Sequence, residues 1–273
     1  MNLSRGRFGA SLASSAIVGT GLPILGATPA FATPVRPLGT IGMIKPSITQ
    51  GPIEELIPFL PRGLAYVPTY LDFATGSKTE FAAAMPVYER CLELLRAQKC
   101  DVIAAEGAPP FMIQGPKREA EILDAWQKKY GIPIFTSSQN QVRALRALGV
   151  KRIVGATYLS DDLNALFAKY FTDVGFTVLS MNGFKAPFET IQDIPSAQIA
   201  DYIRKQVAAN PSADVVYMLG SGWRTLDILA PLEKELGIPV LHPVIARAWE
   251  IQKRLNIHVP MQGYGRLMAE LPS

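Results

Sequence analysis

Two segments far apart in the chain repeat each other: Gly131-Ile132-Pro133-Ile134 and Gly237-Ile238-Pro239-Val240. Each closes a helix-like stretch and turns into a short apolar run. Glycine suits the left-handed residue that ends a helix, and proline just beyond it cannot continue one. A chain that makes the same exit twice is constrained toward a duplicated unit. The surrounding pattern agrees. Strand-type runs at residues 40–44, 64–68, 102–105 and 134–136 alternate with helical stretches at 80–97, 117–130 and 139–148. The alternation then restarts, with strands at 152–156, 177–181, 215–219 and 240–241 and helices at 160–173, 196–209, 224–236 and 244–255. Such alternation argues for parallel strands joined by right-handed crossovers.

Within this frame the stretch Tyr217-Met218-Leu219-Gly220-Ser221-Gly222-Trp223-Arg224 places glycines between a buried strand and a following helix. Asp101 to Pro110 places Glu106-Gly107-Ala108 in the same way in the first half. In open α/β sheets ligands bind outside the carboxyl ends of the strands, where helix starts offer free N–H groups. Two such turns suggest one site between two lobes. Its first-lobe side would be Lys45-Pro46-Ser47, Glu106-Gly107-Ala108 and Thr136-Ser137-Ser138. Its second-lobe side would be Thr157-Tyr158-Leu159, Gly220-Ser221-Gly222 and His242-Pro243.

Residues 1–32 read as a cleavable secretory signal. Arg5 and Arg7 precede an apolar run of small residues that ends at Ala30-Phe31-Ala32. Gly19, Thr20, Gly21 and Pro23 interrupt that run and argue against a membrane anchor. A periplasmic or secreted protein is expected, by either export route. Losing Arg5 and Arg7 and no acid lowers the formal charge from +4 to +2, too little to imply nucleic acid or membrane partners. Cys91 and Cys100 are the two cysteines, read as core residues with a disulfide as the alternative. His242 and His258 have no second ligand at metal spacing, so no metal site is expected. The lobes are taken as 38–149 and 150–255, with the tail 256–273 packing back on the first.

A family resemblance rests on five stretches: Thr40-Ile41-Gly42-Met43-Ile44, Arg146-Ala147-Leu148-Gly149-Val150-Lys151-Arg152-Ile153, Ser160-Asp161-Asp162-Leu163-Asn164, Trp223-Arg224-Thr225-Leu226-Asp227 and Gly263-Tyr264-Gly265-Arg266-Leu267. Together they resemble the aspartate/glutamate racemase superfamily, nearest to arylmalonate decarboxylase and maleate cis-trans isomerase. The resemblance implies two pseudo-symmetric flavodoxin-like lobes, each a four-stranded parallel sheet with flanking helices, and a cofactor-independent site for a small carboxylate. It also implies a cysteine at the third strand end of each lobe, where this chain has Gly107 and Gly220.

Without thiols, two-base racemisation and covalent isomerisation lose their essential groups. Decarboxylation needs less: an apolar pocket, donors for the remaining carboxylate and one acid. The candidate acids are Glu106, Ser221, His242 and Tyr158. Glu106 is read as a general acid or base raised by burial, or as a partner of Lys45 or Lys117. His242 is a proton shuttle or a structural histidine, and Ser221 a donor to an oxyanion. Tyr158 is a site hydroxyl or a packed ring, and Lys45 an attractor of anions. Thr136, Ser137 and Ser138 suit a carboxylate at a helix start or serve as caps. Arg224 is grouped with the substrate-binding residues, with bracing of the turn at the start of a helix as the safer reading. Pro109 and Pro110 lack N–H groups and thin the first-lobe oxyanion hole. The expectation is a cofactor-independent, decarboxylase-like lyase with a non-thiol acid. The alternatives are a non-catalytic carboxylate-binding protein, or an isomerase or hydrolase on the same scaffold. Oligomeric state stays open.

Overall fold

The computed structural model describes residues 38–47, 53–219 and 221–273. The expected signal at 1–32 and Gly220 lie outside the described residues. The first run of elements is β1 (Gly39–Lys45), α1 (Ile53–Leu56), β2 (Leu64–Tyr70), α2 (Lys78–Ala82), α3 (Met85–Ala97), β3 (Val102–Ala105), α4 (Ala108–Met112), α5 (Pro116–Tyr130), β4 (Ile134–Thr136) and α6 (Ser137–Ala147). The second is β5 (Arg152–Thr157), α7 (Asp161–Asp173), β6 (Thr177–Gly183), α8 (Ser196–Ala208), β7 (Val215–Met218), α9 (Leu229–Leu236), β8 (Val240–Leu241), α10 (Pro243–Arg254) and α11 (Arg266–Glu270).

The sheets are ordered β2-β1-β3-β4 and β6-β5-β7-β8, and every pair is parallel. The two orders are the same order, which is the duplication seen in the sequence. The inner strands β3 and β7 are buried on both faces, so they read as continuous apolar runs with no alternation. Gly131 and Gly237 close α5 and α9 at φ 68° and 71°, the left-handed conformation that the repeated Gly-x-Pro exit requires.

Several helices differ from the sequence expectation. The stretch 80–97 divides into α2 and α3, because Pro86 in the first turn of α3 has no N–H to continue an earlier helix. The helix expected from 224 starts only at Leu229, after a 3₁₀ turn, since Pro231 cannot donate back to residue 227. The pair Pro109-Pro110 lies in the first turn of α4, a short helix outside the expected helical stretches, where missing N–H groups cost nothing.

The last helices exchange partners. Helix α10 packs on α6, α1 and β3, within the first sheet's layer, although it follows the second sheet's last strand. Arg143 of α6 holds Glu250 of α10 through two hydrogen bonds of 3.0 and 2.8 Å. After α10 the tail runs over both halves: Arg266 donates to the carbonyl of Leu148 and Trp249 to that of Pro272, while Tyr264 packs edge-on against Phe59.

Candidate active site

In each sheet the strand order reverses direction beside the first strand, between β1 and β3 and between β5 and β7. Crevices for ligands open at the carboxyl ends of such strands. Here the two crevices form one cavity of ≈ 50 Å³. Pro46 and Gly107 follow β1 and β3, Tyr158 and Leu159 follow β5, and Leu219 and Ser221 follow β7, and all line it. Ser137 and Pro243, the first residues of α6 and α10, complete its floor. Phe73, Phe81 and Phe188 come from the crossover segments after β2 and β6 and complete its wall.

Beneath the first-lobe strand ends sits a buried ion cluster. One carboxylate oxygen of Glu106 is 3.0 Å from Lys45 Nζ and 3.0 Å from Arg247 Nη2. All three side chains are almost wholly buried. Burial lowers the pKa of both cations, and the Glu106 charge opposes it. Arg247 lies one helical turn after Pro243, so the cluster ties α10 to the ends of β1 and β3 directly below the cavity. The Tyr88 hydroxyl donates to the Glu106 carbonyl. It also occupies the space beside Gly107: a Cβ there would lie 2.9 Å from it, at a backbone φ of +92° that disfavours any side chain. Position 107 is therefore glycine for a steric reason.

The polar cluster at the start of α6 has a different owner from the one expected. Glu119 of α5 is fully buried, and its carboxylate accepts hydrogen bonds from Thr136, Ser138 and, across from the second lobe, Tyr170. Burial raises the Glu119 pKa, and the three hydroxyls pull against that rise. Thr136 also caps α6, accepting from the Gln139 N–H at 3.2 Å. Ser137, between the two committed hydroxyls, lines the cavity. One turn on, Gln141 also lines it and accepts from the Tyr217 hydroxyl at 2.8 Å.

On the second-lobe side Tyr158 packs against Trp223 and Phe188, with ring centroids 5.2 and 6.2 Å away. Gly222 lies behind it: a Cβ on Gly222 would meet the Tyr158 ring at 3.2 Å and Ile191 at 2.4 Å. Desolvation pushes the Tyr158 hydroxyl up to about 12, with a backbone hydrogen bond to Gly222 opposing the rise. His242 caps α10, its Nδ1 accepting from the Val244 N–H at 3.2 Å.

The structure thus brings Pro46, Gly107, Ala108, Ser137, Tyr158 and Ser221 together around one cavity. It places Lys45, Glu106, Thr136, Ser138 and His242 in the buried framework around that cavity and not in its lining. Glu106 is held by two cations through Oε2, while its Oε1 is buried with no hydrogen-bond partner among the described residues. The hydroxyls of Thr136 and Ser138 are spent on an internal carboxylate. Ser47 is buried outside the lining, Gly222 backs Tyr158, and Arg224 is exposed in the turn ahead of the helix it was expected to start. Cys91 and Cys100 are free and buried, and neither lines the cavity. The sequence reading missed Gln141, Leu219, Phe73, Phe81 and Phe188. Leu219, as the last apolar residue before the glycine turn, was open to inference. Phe73 and Phe188 carry no signal in a single sequence, because the irregular parts of the crossovers give no period that aims a side chain, whereas Phe81 is the buried residue of α2.

Paired parallel sheets with one small, donor-bearing apolar cavity between their switch points define a class of two-lobed small-molecule proteins. The arylmalonate decarboxylase family profile matches residues 41–268, and the chain belongs to that family. It is 26% identical to arylmalonate decarboxylase of Bordetella bronchiseptica over 85% of this chain and 97% of that one. It is 23% identical to maleate isomerase of Geobacillus stearothermophilus, over 84% of this chain and 96% of that one. Among solved structures, unliganded arylmalonate decarboxylase superposes with a TM-score of 0.74 at 25% identity, over 85% of this chain and 99% of that one. Maleate isomerase Iso from Pseudomonas putida S16 shares the fold, with a TM-score of 0.78 at 18% identity and coverages of 85% and 99%.

Proposed function

We propose that the protein is a cofactor-independent lyase that decarboxylates a small malonate-type diacid and reprotonates the product, with the Tyr158 hydroxyl as the acid. The observation that carries this reading is the lining of the cavity. Among its described residues it combines apolar walls with the hydroxyls of Ser137, Ser221 and Tyr158, and Tyr158 is its one ionisable side chain.

One carboxylate of the substrate is held by Ser137, Ser221 and the first-turn N–H groups of α6 other than that of Gln139, which Thr136 caps. The other faces Phe81, Leu159 and Leu219, where its charge is poorly solvated. The carbon–carbon bond breaks, CO₂ leaves, and the electron pair remains on the substrate as an enediolate stabilised by the same donors. Tyr158 gives its proton to carbon and recovers one from water. A hydroxyl at about 12 stays protonated throughout the neutral range and is still far more acidic than a C–H beside a carboxylate. The ion cluster of Lys45, Glu106 and Arg247 fixes the strand ends without touching the substrate.

The same single titrating group gives weight to a second reading, a carboxylate-binding protein without turnover. Incubation of the full-length chain with substituted malonates, followed by analysis for CO₂ and the monoacid, separates the two. Product lost on Tyr158→Phe supports the lyase, and saturable binding without product supports the binder. Export is part of the proposal: protein recovered from a bacterial host is expected to begin at Thr33, as N-terminal sequencing would reveal.

A further inference from the structure

One polar side chain of the cavity lining has no part in the reaction as written above. Gln141 stands one turn after Ser137 on α6, and residues four apart share a helix face, so both line the cavity. The Gln141 side chain is buried, and its Oε1 accepts from the Tyr217 hydroxyl at 2.8 Å. Tyr217 belongs to β7, in the other lobe, where it is fully buried with its ring 4.6 Å from that of Phe171. Burial first, and then the neighbouring Tyr158, push its pKa up, so the hydroxyl keeps a proton to give. A primary amide has one oxygen that accepts and one nitrogen that donates twice. Turned the other way, the amide would donate to Tyr217 and strand the buried tyrosine proton, since nothing else among the described residues accepts it. The contact across the lobes therefore locks the amide in one of its two orientations. Its oxygen is spent on β7, and no group among the described residues accepts from Nε2. What Gln141 offers the cavity is a pair of N–H donors and no acceptor.

Among the described lining residues none is a cation. The matching place on α10, one turn after the lining residue Pro243, holds Arg247, but its charge and that of Lys45 turn to Glu106 beneath the cavity. An anion in the cavity therefore meets neutral donors. Resting on the carboxylate reading above, we propose that Gln141 is a substrate-binding residue that donates to the retained carboxylate, and that Tyr217 is the positioning residue that fixes its amide for that task. A donor that cannot flip favours a group that only accepts. The site then tells a carboxylate from an amide of the same shape, because the N–H2 of such a ligand would face that of Gln141. The same two donors stay on the carboxylate as charge spreads into the enediolate.

The test is NMR titration of the full-length chain with propionate and with propionamide, together with turnover of methylmalonate. The wild-type protein is expected to bind propionate at least about tenfold more tightly than propionamide, the scale of a hydrogen bond to a charged group. Gln141→Glu keeps the size of the side chain and the acceptor for Tyr217 but takes away the donors, so propionate binding is expected to fall at least about tenfold. A glutamine that served only to satisfy Tyr217 would be replaced by glutamate without that loss. Gln141→Met also removes the donors, adds no charge, and serves with a loss in the same direction if the glutamate variant does not fold. Tyr217→Phe frees the amide to flip and is expected to narrow the propionate-to-propionamide ratio about threefold or more, as an acceptor becomes available to the neutral ligand. A packing role alone would weaken both ligands equally. Propionate bound as tightly by a folded Gln141 variant as by the wild-type protein overturns the assignment of Gln141 and leaves the carboxylate reading standing. An unchanged ratio in Tyr217→Phe overturns the positioning role. If the wild-type protein binds neither ligand and leaves methylmalonate intact, the carboxylate reading falls and the proposal falls with it. Propionate binding that depends on Gln141, in a protein that leaves methylmalonate intact, supports the proposal and overturns the lyase alone.

Discussion

The two lobes share strand order and helix exits, yet they support the cavity by opposite means. After β3 the residue before the glycine is Glu106, locked between Lys45 and Arg247. The corresponding residue after β7 is Leu219, which faces the cavity. One turn into α6 stands Gln141, hydrogen-bonded to Tyr217, and the matching position of α10 is Arg247. The first lobe holds its share of the site by buried charge, and the second by aromatic stacking of Tyr158, Phe188 and Trp223. A duplicated scaffold can keep its geometry while the forces that hold it diverge. On the proposed lyase reading, the acid Tyr158 stands in the half without the buried ion cluster.

Replacing Glu106 by Leu copies the second lobe into the first and leaves two buried cations facing each other, so it should produce the largest effect. A loss of about 3–5 kcal/mol is expected in urea denaturation. The triple replacement Lys45→Met, Glu106→Leu and Arg247→Met should recover most of that loss, because well-packed apolar residues often substitute for a buried ion cluster at little cost. Tyr158→Phe should leave the denaturation midpoint near wild type while lowering turnover on the order of 10²-fold, the low end for loss of a general acid. In the wild-type protein the alkaline limb of activity should appear only as pH rises toward about 12, since the hydroxyl must be protonated to act.

Tyr217→Phe removes the donor to Gln141 and should cost about 1–2 kcal/mol, read in the same denaturation assay. The smallest effect is a slope. Glu119 has a raised pKa in the folded state, so the native protein binds its proton more tightly than the unfolded chain does. Stability contributed by the protonated form is present below the unfolded value, about 4.3, and is lost as pH rises through the raised folded value. A thermal-melt series against pH should show that decline in the wild-type protein and a flatter profile in Glu119→Gln.

How far the sequence could be read follows from which forces are local. Strands β3, β4 and β8 match the apolar runs that flank the Gly-x-Pro and glycine turns, because local turn chemistry sets their ends. Helices α2 and α3 were merged in reading, since the apolar period continues across residues that Pro86 divides. The site was legible as a set of strand ends but not as a set of roles. Arg247 claims Glu106 from more than half the chain away, and Glu119 claims Thr136 and Ser138 from the preceding helix. No spacing rule announces either partner. Tyr158 and Ser221 line the cavity, at the strand ends where the sequence placed them.

The exchange of α10 onto the first sheet bears on how the molecule is made. Lys45 and Glu106 leave the ribosome early, while Arg247 and the helix that covers them come near the end of the chain. Synthesis at about 5–20 residues per second separates the two events by on the order of ten seconds. During that interval the first lobe has its sheet but neither its last helix nor its second buried cation. A version truncated before Pro243 therefore loses the completed first lobe, not the second alone.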